Sequence, residues 1–83
     1  MKNMEIKIIS LNLNGIRSAA RKGVFEWLGK QHADIVCFQE TKAQLDQLDN
    51  TILRPSEWNT CFSDAEKKGY SGVAIYSKKP PIL

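Results

Sequence analysis

Two apolar patterns alternate along the first forty residues. From Met4 to Leu13 the apolar positions Ile6, Ile8, Leu11 and Leu13 are interleaved with polar ones, and β-branched residues dominate the early part. That is the signature of a strand, and it predicts β structure over 4–13 with Asn12 and Asn14 facing away from Leu11 and Leu13. Asn14-Gly15 then supplies two residues that tolerate positive φ, which ends the strand in a turn. From Ser18 to Gln31 the period lengthens to that of a helix. Val24, Phe25 and Leu28 form its apolar stripe, Trp27 flanks it, and Arg21, Lys22, Glu26 and Lys30 take the outer side. Gly23 and Gly29 weaken that helix.

After the connector Gln31–Asp34 comes Ile35-Val36-Cys37-Phe38, an unbroken apolar run that switches abruptly to Gln39-Glu40-Thr41-Lys42. A short apolar run with a polar end predicts a strand buried on both faces. Glu40 and Lys42 then share one face at the point where the chain leaves the core, where open α/β sheets place ligands. Strand, helix and strand make a βαβ unit, so the two strands are expected to be parallel with a right-handed crossover. Leu45, Leu48, Ile52 and Leu53 suggest a short helix and irregular chain stopping before Pro55. Trp58 to Ser63 reads as a third strand, Asp64 to Gly69 as a charged loop and Ser71 to Ser77 as a fourth strand. Their closeness in sequence predicts an antiparallel hairpin. One helix can cover only one face of such a sheet. An apolar face and a free edge are therefore expected to remain, as in an oligomer or in a part of something longer.

Composition adds modest limits. The chain has 83 residues, 42% of them hydrophobic, with 12 basic and 9 acidic residues and a formal net charge of +3. It fits one domain with a thin core, since chains this short bury roughly 60% of their unfolded surface. The charge permits a polyanionic partner without requiring one. Basic residues gather at Arg17, Arg21 and Lys22, and again at Lys67, Lys68, Lys78 and Lys79. No stretch approaches a membrane span, and the first residues carry no apolar leader, so a soluble, cytoplasmic protein without a membrane partner is expected. Cys37 and Cys61 lie in strand-like stretches without metal-ligand spacing, and are expected to be buried, reduced thiols. His32, the single histidine, lies in the connector and is read as a surface residue.

If the first and central strands are neighbours, Asn12 and Asn14 end beside Glu40. One carboxylate with nearby amide oxygens is a hard donor set suited to Mg²⁺. At this point the chain resembles a family. Asn12-Leu13-Asn14-Gly15-Ile16-Arg17, Gln39-Glu40-Thr41-Lys42 and Gly69-Tyr70-Ser71-Gly72-Val73 occur in the order seen in the exonuclease III family of apurinic/apyrimidinic endonucleases, within the endonuclease/exonuclease/phosphatase superfamily. The resemblance covers nearly the whole chain, including Phe25-Glu26-Trp27-Leu28.

It implies an α/β fold, the N-terminal part of a four-layer sandwich in which two packed sheets are flanked by helices. It implies a DNA-repair hydrolase that uses Mg²⁺, or Mn²⁺, to cut the phosphodiester 5′ to an abasic site, with exonuclease activity from 3′ ends. The partner would be double-stranded DNA, and the full-length protein a monomer. By position, Glu40 matches the metal-binding glutamate, and Asn12 an active-site asparagine contacting the scissile phosphate region and the metal network. Asn14 stands where many relatives carry a metal-holding Asp. Arg17, Lys42, Gly69 and Tyr70 match DNA-contacting or active-site positions. The family's nucleophile-orienting aspartate, its active-site tyrosine, its Asp-x-Asn pair and its Asp-His pair belong to later segments, so the 83 residues alone are expected to be inactive. Another phosphoesterase or retroelement endonuclease of the superfamily, or a non-catalytic βαβ interaction module, are the alternatives.

Overall fold

The computed structural model describes residues 5–63 and 71–80. Within them the chain forms an α/β unit: β1 (Ile8–Asn12), α1 (Ile16–Arg21), α2 (Val24–Gly29), β2 (Ile35–Gln39), a 3-10 turn (Leu45–Gln47), α3 (Asn50–Leu53), β3 (Asn59–Ser63) and β4 (Val73–Ser77). The four strands make one sheet in the order β1-β2-β4-β3. As expected, β1 and β2 are parallel and β3 pairs with β4 antiparallel. The hairpin's second strand is the inner one: β4 also pairs antiparallel with β2.

The register sorts the side chains. On one face Ile9 and Leu11 of β1, Val36 and Phe38 of β2, Ala74 and Tyr76 of β4 and Phe62 of β3 gather beneath the helices. Leu28 and Ala33 complete the buried cluster, with Phe25 and Val24 packed against it. Tyr76 is the hub, its ring lying 5.2 to 6.3 Å, centroid to centroid, from Phe25, Phe38, Trp58 and Phe62. Offset and edge-on arrangements of this kind add to the burial of the rings themselves. Its hydroxyl donates to the Ile52 carbonyl and so ties α3 to the sheet. Burial pushes the phenol well above its ordinary pKa, so it stays a protonated donor. Ile16 of α1, Ala43, Leu48 and Ile52 of α3 form a second cluster.

Among the described residues nothing covers the other face. Ile8 is 61% exposed, Val73 47% and Ile75 45%. The apolar face expected to remain is therefore present, and it carries Ile8, Val73 and Ile75. The burial of β2 alternates, with Val36 and Phe38 buried and Ile35 and Cys37 only half-buried, which corrects the expectation of a strand covered on both sides. All the described helices pack on one face, so only alternate residues of the run are sealed. The cysteines are corrected for the same reason: Cys37 is half-buried and Cys61 exposed, both on the open face with Ile75 between them in register.

The expected single helix over 18–31 is two short ones. Gly23, at φ 98°, caps α2 in the left-handed region that other residues rarely occupy, and the chain turns there. The helical part also begins earlier, at Ile16, whose side chain is fully buried. Strand β1 is shorter than read, because at Lys7 the chain is engaged by Asp34: the Lys7 N–H donates to Asp34 Oδ2 at 2.8 Å, and the Asp34 N–H donates to the Lys7 carbonyl at 2.8 Å. Met4, at the start of the predicted first strand, and the loop 64–69 lie outside the described residues. No helix among the described residues is long and apolar enough to cross a membrane.

This asymmetry separates two neighbouring positions of β4. Ile75→Thr, on the open face, should change stability by no more than about 0.5 kcal/mol. Tyr76→Phe, which leaves the Ile52 carbonyl without its donor, should cost about 1 kcal/mol. Urea midpoints of the two variants check both, and a larger loss at Ile75 than at Tyr76 would mean the open face is covered.

Candidate active site

The site is built by continuing the parallel pairing of β1 and β2 beyond the strands. Asn12 is in register with Gln39. Past them the N–H groups of Leu13, Gly15 and Ile16 donate to the carbonyls of Gln39, Glu40 and Thr41 at 2.9, 2.8 and 2.8 Å. On the other side the N–H groups of Thr41 and Lys42 donate to the carbonyls of Gly72 and Ser71 at 3.2 and 2.7 Å. Three chain segments, 12–16, 39–42 and 71–72, are thus laced side by side at one end of the sheet.

The lacing bends the backbone. Asn14, Gly15, Glu40, Lys42, Ser71 and Gly72 all have positive φ, from 41° to 108°. Among the described residues only Gly23, His32 and Glu57 do so elsewhere. Left-handed conformations cost energy for residues with a Cβ, and they persist where surrounding hydrogen bonds over-determine them.

Four side chains converge on this frame. The Asn12 amide donates through Nδ2 to Glu40 Oε2, while its Oδ1 accepts the backbone N–H of Asn14 at 3.0 Å. The Lys42 Nζ donates to Asn14 Oδ1 and lies 3.5 Å from Glu40 Oε1. The expected proximity of Asn12 and Asn14 to Glu40 is therefore present, and Lys42 joins them. In this arrangement Asn12 turns its nitrogen to the carboxylate and orients it, and the oxygens left facing a cation are Glu40 Oε1 and Asn14 Oδ1. The Asn12 amide, and then the Lys42 ammonium, hold the Glu40 carboxyl below the usual carboxylate range, against a partial loss of hydration.

Arg17 lies on α1 and lines a cleft of about 270 Å³ with Gly15, Ser18, Arg21, Thr41 and Lys42. Among the described residues the cleft carries three cationic side chains and no acidic one. Thr41, 1% exposed, has no hydrogen-bond partner for its buried hydroxyl among the described residues. Gly69 and Tyr70 lie outside the described residues. Sequence reasoning missed the backbone roles of Ser71 and Gly72; Gly72, before a β-branched strand and with no turn partner of its own, was the available signal. His32 is exposed, as expected, and lines a different cleft with Asp34, Glu57 and Trp58.

The donor set fits a hard divalent cation. One carboxylate oxygen and one amide oxygen already face an ammonium, and Mg²⁺ typically takes one or two carboxylates with waters and phosphate oxygens for the rest. Among the described residues there is no group of three or more His, Cys, Asp or Glu side chains able to hold a metal by themselves.

A strand-end carboxylate held by an amide thus lies beside a basic cleft at one end of an α/β sheet. The pattern of the endonuclease/exonuclease/phosphatase family matches residues 9–82, and the chain belongs to that family. Over 78 residues it is 45% identical to the exodeoxyribonuclease of Bacillus subtilis (strain 168), a match that covers 93% of this chain and 30% of that protein. Over 74 residues it is 46% identical to DNA-(apurinic or apyrimidinic site) endonuclease 2 of Xenopus laevis, covering 88% of this chain and 14% of the relative. Solved structures agree. An AP endonuclease from Archaeoglobus fulgidus superposes with a TM-score of 0.79 at 35% identity, over 93% of this chain and 29% of that one. The Xenopus laevis APE2 catalytic domain gives 0.75 at 44%, over 88% and 23%. The chain thus spans less than a third of the length of each of these relatives. By name they are an exodeoxyribonuclease and AP endonucleases, and the fold is common ground with the solved structures.

The Glu40 carboxyl reports the geometry directly. Asn12→Ala should raise its pKa toward the ordinary glutamate value, and by more than Lys42→Met does, because the amide is the larger influence. Following the Glu40 side-chain carboxyl by NMR across an acid titration checks this. A carboxyl whose folded pKa is depressed stabilises the fold above its unfolded pKa, and that contribution is lost as pH falls through the folded value. Asn12→Ala should therefore flatten the decline of stability through the acidic range.

Proposed function

We propose that these residues furnish the N-terminal part of an exonuclease III-type nuclease domain. Its substrate would be double-stranded DNA bearing abasic sites or 3′ ends, cut by Mg²⁺- or Mn²⁺-dependent hydrolysis 5′ to the abasic site and by 3′–5′ exonuclease action, in a domain acting as a monomer. The observation that carries this reading is the lacing of 12–16, 39–42 and 71–72 into one frame, with the Asn12–Glu40 pair at its centre and a cationic cleft beside it.

Each residue has a task that follows from its place. Glu40, kept ionised by Asn12 and Lys42, presents one oxygen outward for a cation, and Asn14 presents its amide oxygen beside it. A divalent ion bound there would neutralise phosphate charge and stabilise the leaving oxygen. Asn12 fixes the carboxylate's orientation, so its geometry is set before substrate arrives. Arg17 and Arg21 offer their charges to phosphates of the backbone, which gives affinity without reading sequence. Gly69 and Tyr70, by their match to the family's motif, would add contacts to the DNA. Among the described residues no histidine or second carboxylate stands beside Glu40 to activate water. Phosphodiester hydrolysis needs that proton removed as the P–O bond to the leaving 3′ oxygen breaks.

Two expectations follow. The 83-residue chain, incubated with Mg²⁺ and a duplex carrying an abasic analogue, should not incise it; incision abolished by Glu40→Gln would show that these residues suffice. In a chimera where this chain replaces the matching segment of the Bacillus subtilis relative, Glu40→Gln should lower the incision rate at saturating DNA by about a hundredfold or more while leaving affinity nearly intact. Arg17→Ala should do the reverse, weakening binding and reducing the salt slope by about one charge. Near-normal cleavage by the Glu40 variant at low Mg²⁺ would reduce Glu40 to an ordinary strand-end residue.

A further inference from the structure

Lys42 stands where the cation would. Its ammonium spans the two oxygens left free by the rest of the network, Asn14 Oδ1 and Glu40 Oε1, while Asn12 occupies Glu40 Oε2. The position is set by the backbone: Lys42 sits at φ 51° with its N–H on the Ser71 carbonyl, so its side chain leaves the chain on the side of the site. Asn14 is a neutral amide, and one carboxylate with one ammonium leaves the four-residue network without net charge. A divalent cation reaching these oxygens meets both a competitor for the same lone pairs and a like charge a few ångströms away. The cleft of Gly15, Arg17, Ser18, Arg21 and Thr41 opens beside Lys42 and gives the ammonium somewhere to go, most favourably when that cleft holds a phosphate.

We propose that Lys42 is a positioning residue that holds Asn14 and Glu40 in register for a divalent cation and competes with that cation for the same two oxygens, so that the ion enters as the ammonium withdraws. This rests on the reading of Glu40 and Asn14 as cation-binding residues. It predicts that the wild-type chain binds divalent ions weakly and that removing the competitor tightens binding, although Lys42 makes favourable contacts in the ion-free state.

The test is Mn²⁺ binding to the 83-residue chain, read from the loss of the free-ion electron paramagnetic resonance signal, for wild type, Lys42→Met, Lys42→Gln and Lys30→Met. Both Lys42 variants should bind Mn²⁺ about fivefold to tenfold more tightly than wild type. Lys30→Met, which removes an equal charge from the exposed end of α2, should not differ. On the unaltered chain, a Mg²⁺ titration should shift the Asn14 side-chain amide resonances saturably, which needs no variant to fold. Unchanged or weaker binding in the Lys42 variants, or equal tightening by Lys30→Met, would overturn the competition while leaving the cation site in place. Asn14 resonances that stay still while the ion binds would overturn it too. Absence of binding by wild type and every variant would overturn the cation site, and the competition with it.

Discussion

The parallel pairing of β1 with β2, carried by three further hydrogen bonds past the ends of the strands, is the constraint on which the rest depends. Within the strands the pairing builds a sheet that any βαβ unit could have. Beyond them it does something narrower. By giving the N–H groups of Leu13, Gly15 and Ile16 to carbonyls 39–41, it forces Asn14, Gly15, Glu40 and Lys42 into left-handed backbone. That conformation turns polar side chains of both segments toward one another. The chain at 71–72 closes the frame from the other side through its carbonyls. The frame satisfies these backbone groups where no regular element does, as buried polar groups require.

Packing explains why so small a sheet can hold that frame. Tyr76, on the inner strand β4, touches rings from α2, β2, β3 and the Trp58 segment, and its hydroxyl anchors α3. Ile16, at the start of α1, is sealed against Ala43, Leu48 and Ile52, so the turn that carries Asn14 and Gly15 is fastened to the polar segment after β2. The second cluster is small, but Ile16 and Ala43 flank in sequence the residues that form the site. The open face of the sheet, with Ile8, Val73 and Ile75, contributes nothing to this fastening.

Electrostatics divides the site into two zones. The Asn12–Glu40–Lys42–Asn14 network is balanced within itself, one carboxylate against one ammonium, both orienting neutral amides. Among the described residues the charged groups of the adjoining cleft are all positive, Arg17, Arg21 and Lys42. Lys42 belongs to both zones. The cleft therefore adjoins a carboxylate whose counter-charge is supplied by the Lys42 ammonium.

Much of this was legible along the chain, because local rules and local chemistry coincide there. The alternation around Ile8, the turn at Asn14-Gly15, the apolar run ending at Phe38 and the hairpin of β3 and β4 all follow from short-range patterns. So does the meeting of Asn12 with Glu40, since a parallel pair places the ends of both strands together. What the sequence left open depends on contacts between distant residues. Four consecutive apolar residues look alike whether one face is covered or two, and only the placement of every described helix on one side left Ile35 and Cys37 half-buried. A glycine in a helical pattern reads as a weak spot, and only the need to seat Ile16 in a separate cluster from Leu28 makes Gly23 a break. No local signal inserted β4 between β2 and β3, and that insertion brings Ser71 and Gly72 against Thr41 and Lys42. The residue types at the site were determined by sequence alone; their conversion into one hydrogen-bonded network was decided by tertiary structure, because backbone groups unsatisfied at the strand ends had to find partners across the sheet.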